Sequence, residues 1–572
     1  MTSTENDSLK PGNDSKKLSV LFSKPVYIFI ISIIINSSLF ALFFCFITPR
    51  FRTNDDIAMM EFASGRVTGQ PGEYLVYINI VIGKLLSLLY LGFPEVNWYP
   101  VLFYFIHFIS MTVIFYCLLL KKKNIYAVSI YILLFSFLEM YLLANIHFTT
   151  TAFIAGLAGV FLFFTYIDTK GIKFYIAMAG SILLMVVSGL IRENVFYLVI
   201  GLSAGIFLLK FLEVKSWKIP AVLLVAVLLL GLLNLVNDYY YQEDEEWGFY
   251  QEYNKYIGKI LGYPDFRYSD RTRDVYERVG WSENDVRMLK SWFYCDPELY
   301  SLEKLDYVVS NISVNRGVED TFNTLKGAFD GLDIKVKWFT GLFLAISILL
   351  MGRKKNKYIF SVMFFSFVIL VYLCYRGRMT DWVFSPIVIF NAFTAAFFLL
   401  EEDKENSFKS ISKVNFQLVV LAVCLIIFTL TFISVSESSG INIEKQQQLE
   451  QVMKDLEDKD KIYVGWGATG LRDKVVFFST DKLKNYINVI QLGWRIHTPY
   501  FKRSLEKYSI DNLYTSIAER DDIFMICGAG GAAPFKTFMA EHYDKEVSTS
   551  IVYEIEGFSV NVYKFRINND ID

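Results

Sequence analysis

Thr53-Asn54-Asp55-Asp56, running on as IAMMEFASG to Gly65, stands a few residues beyond the first apolar segment of the chain. A second polar run, GRVTGQPGE, follows from Gly65 to Glu73. Two adjacent carboxylates beside a membrane-length helix are costly unless something uses or satisfies them. What flanks this stretch decides the fold.

Upstream, 26–47 is apolar and long enough to cross a roughly 30 Å hydrocarbon core as a helix. Lys10, Lys16, Lys17 and Lys24 precede it in a polar head, 1–24, expected to be a disordered cytoplasmic tail without a cleavable signal. The positive-inside rule then puts Asp55 and Asp56 on the outer side. Downstream, 75–91 is apolar but carries Asn79, Gly83 and Lys84, whereas 99–120 is a cleaner span ending in Lys121-Lys122-Lys123. If both crossed, the three lysines would lie outside. The rule favours one long outer loop, 49–98, with helices at about 55–65 and 75–91 lying along the interface or re-entering.

The composition agrees. The 572 residues are 54% hydrophobic with a mean hydropathy of +0.36, beyond what a soluble chain shows. Further spans are expected at 125–143, 150–168, 174–191, 195–213, 219–236, 336–352, 358–375, 382–400 and 414–434, about eleven in all. Lysine and arginine clusters fall at alternate ends, as the rule requires. The expected fold class is a polytopic α-helical membrane protein with an extracytoplasmic C-terminal α/β domain. Its parts are a transmembrane domain at 25–434, a large hydrophilic outer loop at 237–335 packed partly on the interface, and the α/β domain at 435–572. In that last domain 444–456 reads as an amphipathic helix. Strands are expected at 461–464, 523–526, 550–556 and 559–565, with a hairpin around Glu556-Gly557. The glycines of GAGGAAP (Gly528 to Pro534) match neither a dinucleotide fingerprint nor a P-loop, and read as a strand-to-helix turn.

A net charge of −2 gives no reason to expect a nucleic-acid partner. Of six cysteines, Cys45, Cys117, Cys374 and Cys424 lie in apolar runs. Cys295 and Cys527 lie in hydrophilic segments and would pair only in an oxidising space.

On this topology Asp55, Asp56, Glu61, His147, Arg192, Glu193, Arg376, Arg378 and Asp381 share the outer side. Carboxylates there can deprotonate a hydroxyl or hold a metal, and arginines suit a phosphate leaving group. Each also has a plainer reading. Asp55 and Asp56 can cap a helix starting at Ile57. Arg192-Glu193 can be a turn between spans, His147 a satisfied outer-end histidine, and Arg376, Arg378 and Asp381 snorkelling anchors. Trp98 and Tyr99 read as interfacial belt residues. Trp494, Arg495 and His497 have no legible partner.

TNDDIAMMEFASG (53–65) and the interfacial run at 75–91 resemble the GT-C superfamily of polytopic membrane glycosyltransferases. That family has an Asp-bearing first outer loop with two juxtamembrane helices. The resemblance implies transfer of a sugar from a polyprenyl-phosphate donor to a glycan, lipid or protein acceptor, inverting, in a bacterial plasma membrane. Asp55 or Asp56 would be the base, and Arg192, Arg376 or Arg378 would meet the phosphate. It admits a divalent cation, Mg or Mn, without requiring one. Two other classes stay open: a transporter or flippase of lipid-linked sugars, and a non-catalytic envelope protein.

Overall fold

The computed structural model describes residues 25–121, 125–313, 317–331, 356–377, 379, 381–399, 413–467, 474–483, 487–528 and 530–568. The tail 1–24, the expected span 336–352 and Arg378 lie outside them. Among the described residues nine helices are long and apolar enough to cross a membrane. They begin with α1 (Pro25–Phe46). The first loop then supplies α2 (Asn54–Ala63) and α3 (Ile80–Gly92) before α4 (Trp98–Lys121). Next come α5 (Ile125–Ala144, with a π turn at Phe135–Glu139), α6 (Phe148–Tyr166), α7 (Ile172–Ile191), α8 (Glu193–Val214) and α9 (Lys218–Glu243). Helices Asn356–Tyr375 and Lys413–Asp455 bring the number to nine, and the helix Asp381–Leu399 carries a shorter apolar stretch.

The doubtful run at 75–91 does not cross. Its helix α3 has 13 residues, about 20 Å at 1.5 Å per residue, too short for the hydrocarbon core. Asn79 is why it starts late. Its side chain accepts from the Val81 N–H, its own N–H donates to the Leu190 carbonyl (2.8 Å), and its amide donates to Asn234 (3.0 Å). Gly83 lets the chain fold back, since a Cβ there would collide with the Glu73 carbonyl. Lys84 lies over the Tyr240 ring, 3.2 Å from its centroid. The polar residues that interrupt the run are thus those that tie the loop to α7 and α9.

The loop is pinned at its start as well. β1 (Arg50–Phe51) pairs in parallel with β2 (Asn145–Ile146), so the ends of α1 and α5 meet at one level. On that end of the bundle sits a five-stranded sheet of order β4-β3-β5-β7-β6. Its strands are β3 (Ile462–Trp466), β4 (Asn488–Gln491), β5 (Ile523–Cys527), β6 (Val547–Glu554) and β7 (Asn561–Ile567). β3 runs parallel to β4 and β5, and β7 antiparallel to β5 and β6. The expected hairpin is present, with Gly557 at φ +79° in its turn. GAGGAAP connects β5 to the helix Ala532–Tyr543, as expected. β4 was not foreseen: four residues between polar segments carry too short a pattern.

Two further expectations change. The span at 414–434 and the helix at 444–456 form one helix of 43 residues, Lys413–Asp455, about 65 Å long. Gly440 inside it meets no neighbour, and the Ser438 hydroxyl bonds back to the Ser434 carbonyl (2.9 Å), so nothing breaks the helix where its apolar character ends. Described residues of the 237–335 region, expected to rest partly on the interface, also share a core with the sheet. Phe293 stacks on Tyr514 (4.8 Å) and lies flat against Phe535 (6.0 Å), and the Trp466 indole donates to the Ser291 carbonyl (2.7 Å). Cys295 and Cys527 are free thiols.

Candidate active site

The two aspartates do not cap α2. The helix begins at Asn54, with Thr53 at the N-cap in an extended conformation (φ −126°, ψ 159°). Both carboxylates therefore lie in the first turn, where the helix dipole favours negative charge. Adjacent positions on a helix point about 100° apart, and the two side chains meet different surroundings.

Asp56 is fully buried. Its Oδ1 accepts from the Phe148 N–H (3.0 Å) and the Tyr99 hydroxyl (3.1 Å), and its Oδ2 from the Thr53 hydroxyl (3.0 Å). Burial pushes its pKa up from 3.8 to about 8, against the pull of the bonds from Phe148 and Thr53. Asp56 therefore keeps its proton at neutral pH and ties the loop to the starts of α4 and α6. Tyr99 is part of this buried knot, not an interfacial belt residue.

His147 is the N-cap of α6. Its Nδ1 accepts from the Thr149 N–H (3.2 Å), which leaves the proton on Nε2, 3.9 Å from Asp56 Oδ2. Burial, then Arg52 and Arg192, lower its pKa to about 3, so it stays neutral.

Asp55 is half-buried and accepts from the Trp494 indole N–H (2.8 Å). The Trp494 ring stands 5.0 Å from that of Tyr77, which lies parallel to Phe148 at 6.1 Å. The Arg192 guanidinium sits 5.3 Å from both the Tyr77 and Phe148 ring centroids. Desolvation and the Asp55 charge hold the Tyr77 phenol above its usual pKa, while Arg192 pulls it down. One carboxylate, one guanidinium and a phenol thus converge under an indole supplied by the sheet domain. Arg192 also makes the turn between α7 and α8, where it ends one helix and starts the other. The plainer sequence reading of Arg192, a turn between spans, is thus present.

The other expected residues lie elsewhere. Glu193 is exposed and accepts from Asn234 (2.8 Å) and Tyr197 (3.3 Å). Glu61 pairs with Arg495, and with Arg66 at 3.9 Å, on another face of α2. Arg376 donates to the Tyr263 hydroxyl (3.1 Å), and none of its described contacts reaches the aspartates. Asp381 begins a helix, and only its backbone is described. Among the described residues, neither aspartate belongs to a cluster of three carboxylate, histidine or cysteine donors close enough to share a cation. With both Asp56 oxygens engaged, the pair does not fit a resident divalent ion. The chemistry below is therefore drawn from the protein's own groups.

Sequence reasoning missed Tyr77, Arg52 and the role of Trp494, whose partner lies 439 residues away. It also missed a buried pair within the bundle. His107 Nδ1 lies 2.7 Å from Glu139 Oε1, both fully enclosed, and His107 Nε2 lies 3.1 Å from the Thr151 hydroxyl. Both residues sit singly in apolar runs. The signal that was there is an ionisable group inside a span, which is rare without a partner.

No family model and no curated protein matches the sequence. Two solved structures are similar to this chain. One is the crystal structure of ArnT from Cupriavidus metallidurans in the apo state, at 10% identity and a TM-score of 0.40, covering 97% of this chain and 98% of that one. The other is the same protein bound to undecaprenyl phosphate, at 9% identity and a TM-score of 0.40, covering 96% and 98%.

Proposed function

We propose that the protein is a membrane glycosyltransferase. It moves a sugar from a polyprenyl-phosphate donor to a glycan, lipid or protein acceptor at the bundle end that carries the sheet domain. The lysine pattern makes that end extracytoplasmic and the N-terminus cytoplasmic, in a bacterial plasma membrane. The observation that carries the reading is the division of labour between the aspartates. Asp56 is enclosed, with burial raising its pKa to about 8, whereas Asp55 is half-buried and lies close to Tyr77, which Arg192 also approaches.

In this reading Asp55 takes the proton of the acceptor hydroxyl. The hydroxyl oxygen attacks the anomeric carbon from the face opposite the phosphate. The bond from that carbon to the phosphate oxygen breaks, and the phosphate leaves with the electron pair. The anomeric centre is inverted. Arg192 meets the developing charge of the leaving phosphate, with Arg52 nearby. The Trp494 indole bonds Asp55 Oδ1, and the acceptor hydroxyl meets the same carboxylate beside it. Asp55→Asn should abolish transfer in membranes while Asp56→Asn, an isostere of the neutral acid, keeps it. Full transfer by Asp55→Asn would overturn the assignment.

A transporter of lipid-linked sugars is the second reading, and the His107–Glu139 pair inside the bundle is what favours it. Substrate movement across liposomes with no covalent product would establish it.

A further inference from the structure

On the side of α2 turned away from Asp55 lies a cavity of about 280 Å³, near the lower end of the range for small-molecule sites. Helix α2, the long helix Lys413–Asp455 and β4 enclose it. Its charged lining is Glu61, Glu450, Arg66, Lys482, Arg495 and Lys507, four cations against two carboxylates. Glu61 is shared between Arg495 and Arg66. Among the described residues neither Lys482 nor Lys507 has a carboxylate partner, while Glu450 accepts from Gln446 (3.5 Å). Arg495 is the innermost cation, 8% exposed, with its guanidinium 5.1 Å from the Phe62 ring centroid. Gln446, Asn488 and Gln491 add amide donors and acceptors. An excess of cations, amides and aromatic faces in a half-open cleft suits an anion that also carries hydroxyls.

We infer that this cavity binds an anionic sugar, a glycan phosphate or uronic acid in chemical class, as part of the acceptor. Its place in the chain links it to the aspartates. Trp494 and Arg495 are neighbours, one bonded to Asp55 and the other to Glu61 across α2. An anion that takes Arg495 from Glu61 loosens the same segment that holds Trp494 on Asp55. The link to catalysis rests on the transferase reading, whereas the binding does not.

The test is calorimetric titration of the full-length protein in neutral detergent with glucose 1-phosphate. Glucose, inorganic phosphate and a polyprenyl-phosphate glucose run beside it. Wild type and Asp55→Asn should bind glucose 1-phosphate saturably and alike. The exposed double variant Lys482→Gln/Lys507→Gln should bind it at least tenfold more weakly, and Lys507→Gln alone about threefold. Glucose should not saturate, and inorganic phosphate should bind more weakly than the sugar phosphate. No saturable binding, equal binding by the lysine variants, or binding of the polyprenyl-linked sugar alone would overturn the site. An active Asp55→Asn would remove Asp55 as the base, and absence of any sugar transfer by the wild type would sink the transferase reading, both without touching this result.

Discussion

Two faces of one short helix treat their carboxylates differently. Toward the bundle, α2 presents Asp56 to a closed knot of Tyr99, Thr53 and the Phe148 N–H, where burial keeps it neutral. Toward the sheet domain it presents Glu61 to Arg495 and Arg66, beside a cavity rich in cations. Asp55 lies between these settings, bonded to the Trp494 indole and close to Tyr77. The same side-chain chemistry thus meets an enclosed knot, an ion pair or a half-buried indole contact according to what packs against it. The contrast argues that adjacency in sequence says little about shared function within a tandem.

The sharpest way to break the contrast is at Asp55. Asp55→Asn should lower transfer by about 10²–10⁴-fold, the usual range for loss of a general base, with expression and melting temperature unchanged. Radiolabelled sugar incorporation in membranes reads it. Equal losses for Asp55→Asn and Asp56→Asn would erase the distinction. Next is Arg192→Gln, expected to lower kcat by about 10²-fold through lost stabilisation of the leaving phosphate; an unchanged kcat would remove Arg192 from the chemistry.

The loop geometry is tested by Gly83→Ala. The added methyl meets the Glu73 carbonyl, and the overpacking should cost about 1–3 kcal/mol, read as a lower melting temperature. A smaller and more specific effect is the pH dependence of stability at Asp56. The folded pKa is raised from 3.8 to about 8, so the folded state holds a proton that the unfolded chain releases. The contribution is whole below about 3.8 and is lost as pH rises toward 8. Asp56→Asn should flatten the fall in melting temperature between pH 5 and 8. His147, lowered from 6.5 to about 3, acts with the opposite sign. Its contribution is present above its unfolded value and is lost as pH falls from about 6.5 toward 3. The variant should leave that acid limb in place. Comparable in size to Gly83→Ala is Trp494→Phe, which removes one hydrogen bond to a charged group, about 1.5–3 kcal/mol at most. It too should be read as a lower melting temperature.

Much of the architecture was legible because the bilayer makes it so. Lipid forces apolar runs into helices, and lysines at alternate ends order them, so each expected span within the described residues coincides with a helix. Asn79 and Lys84 likewise announced that 75–91 does not cross. The expected site residues fared unevenly. Asp55, Asp56, His147 and Arg192 gather, whereas Glu61, Glu193 and Arg376 point to other partners. Side of the membrane narrows position to a plane, not to a point within it.

The sequence by itself determined that the chain is built on many membrane-length apolar helices and that a hydrophilic α/β region follows them. These are one-dimensional consequences of hydropathy and charge. Only the tertiary structure decided that Asp56 is enclosed, that Trp494 reaches Asp55 from 439 residues away, and that His107 and Glu139 find each other inside the bundle. Desolvation and hydrogen bonding depend on which distant groups pack together, and no local pattern in the chain encodes that.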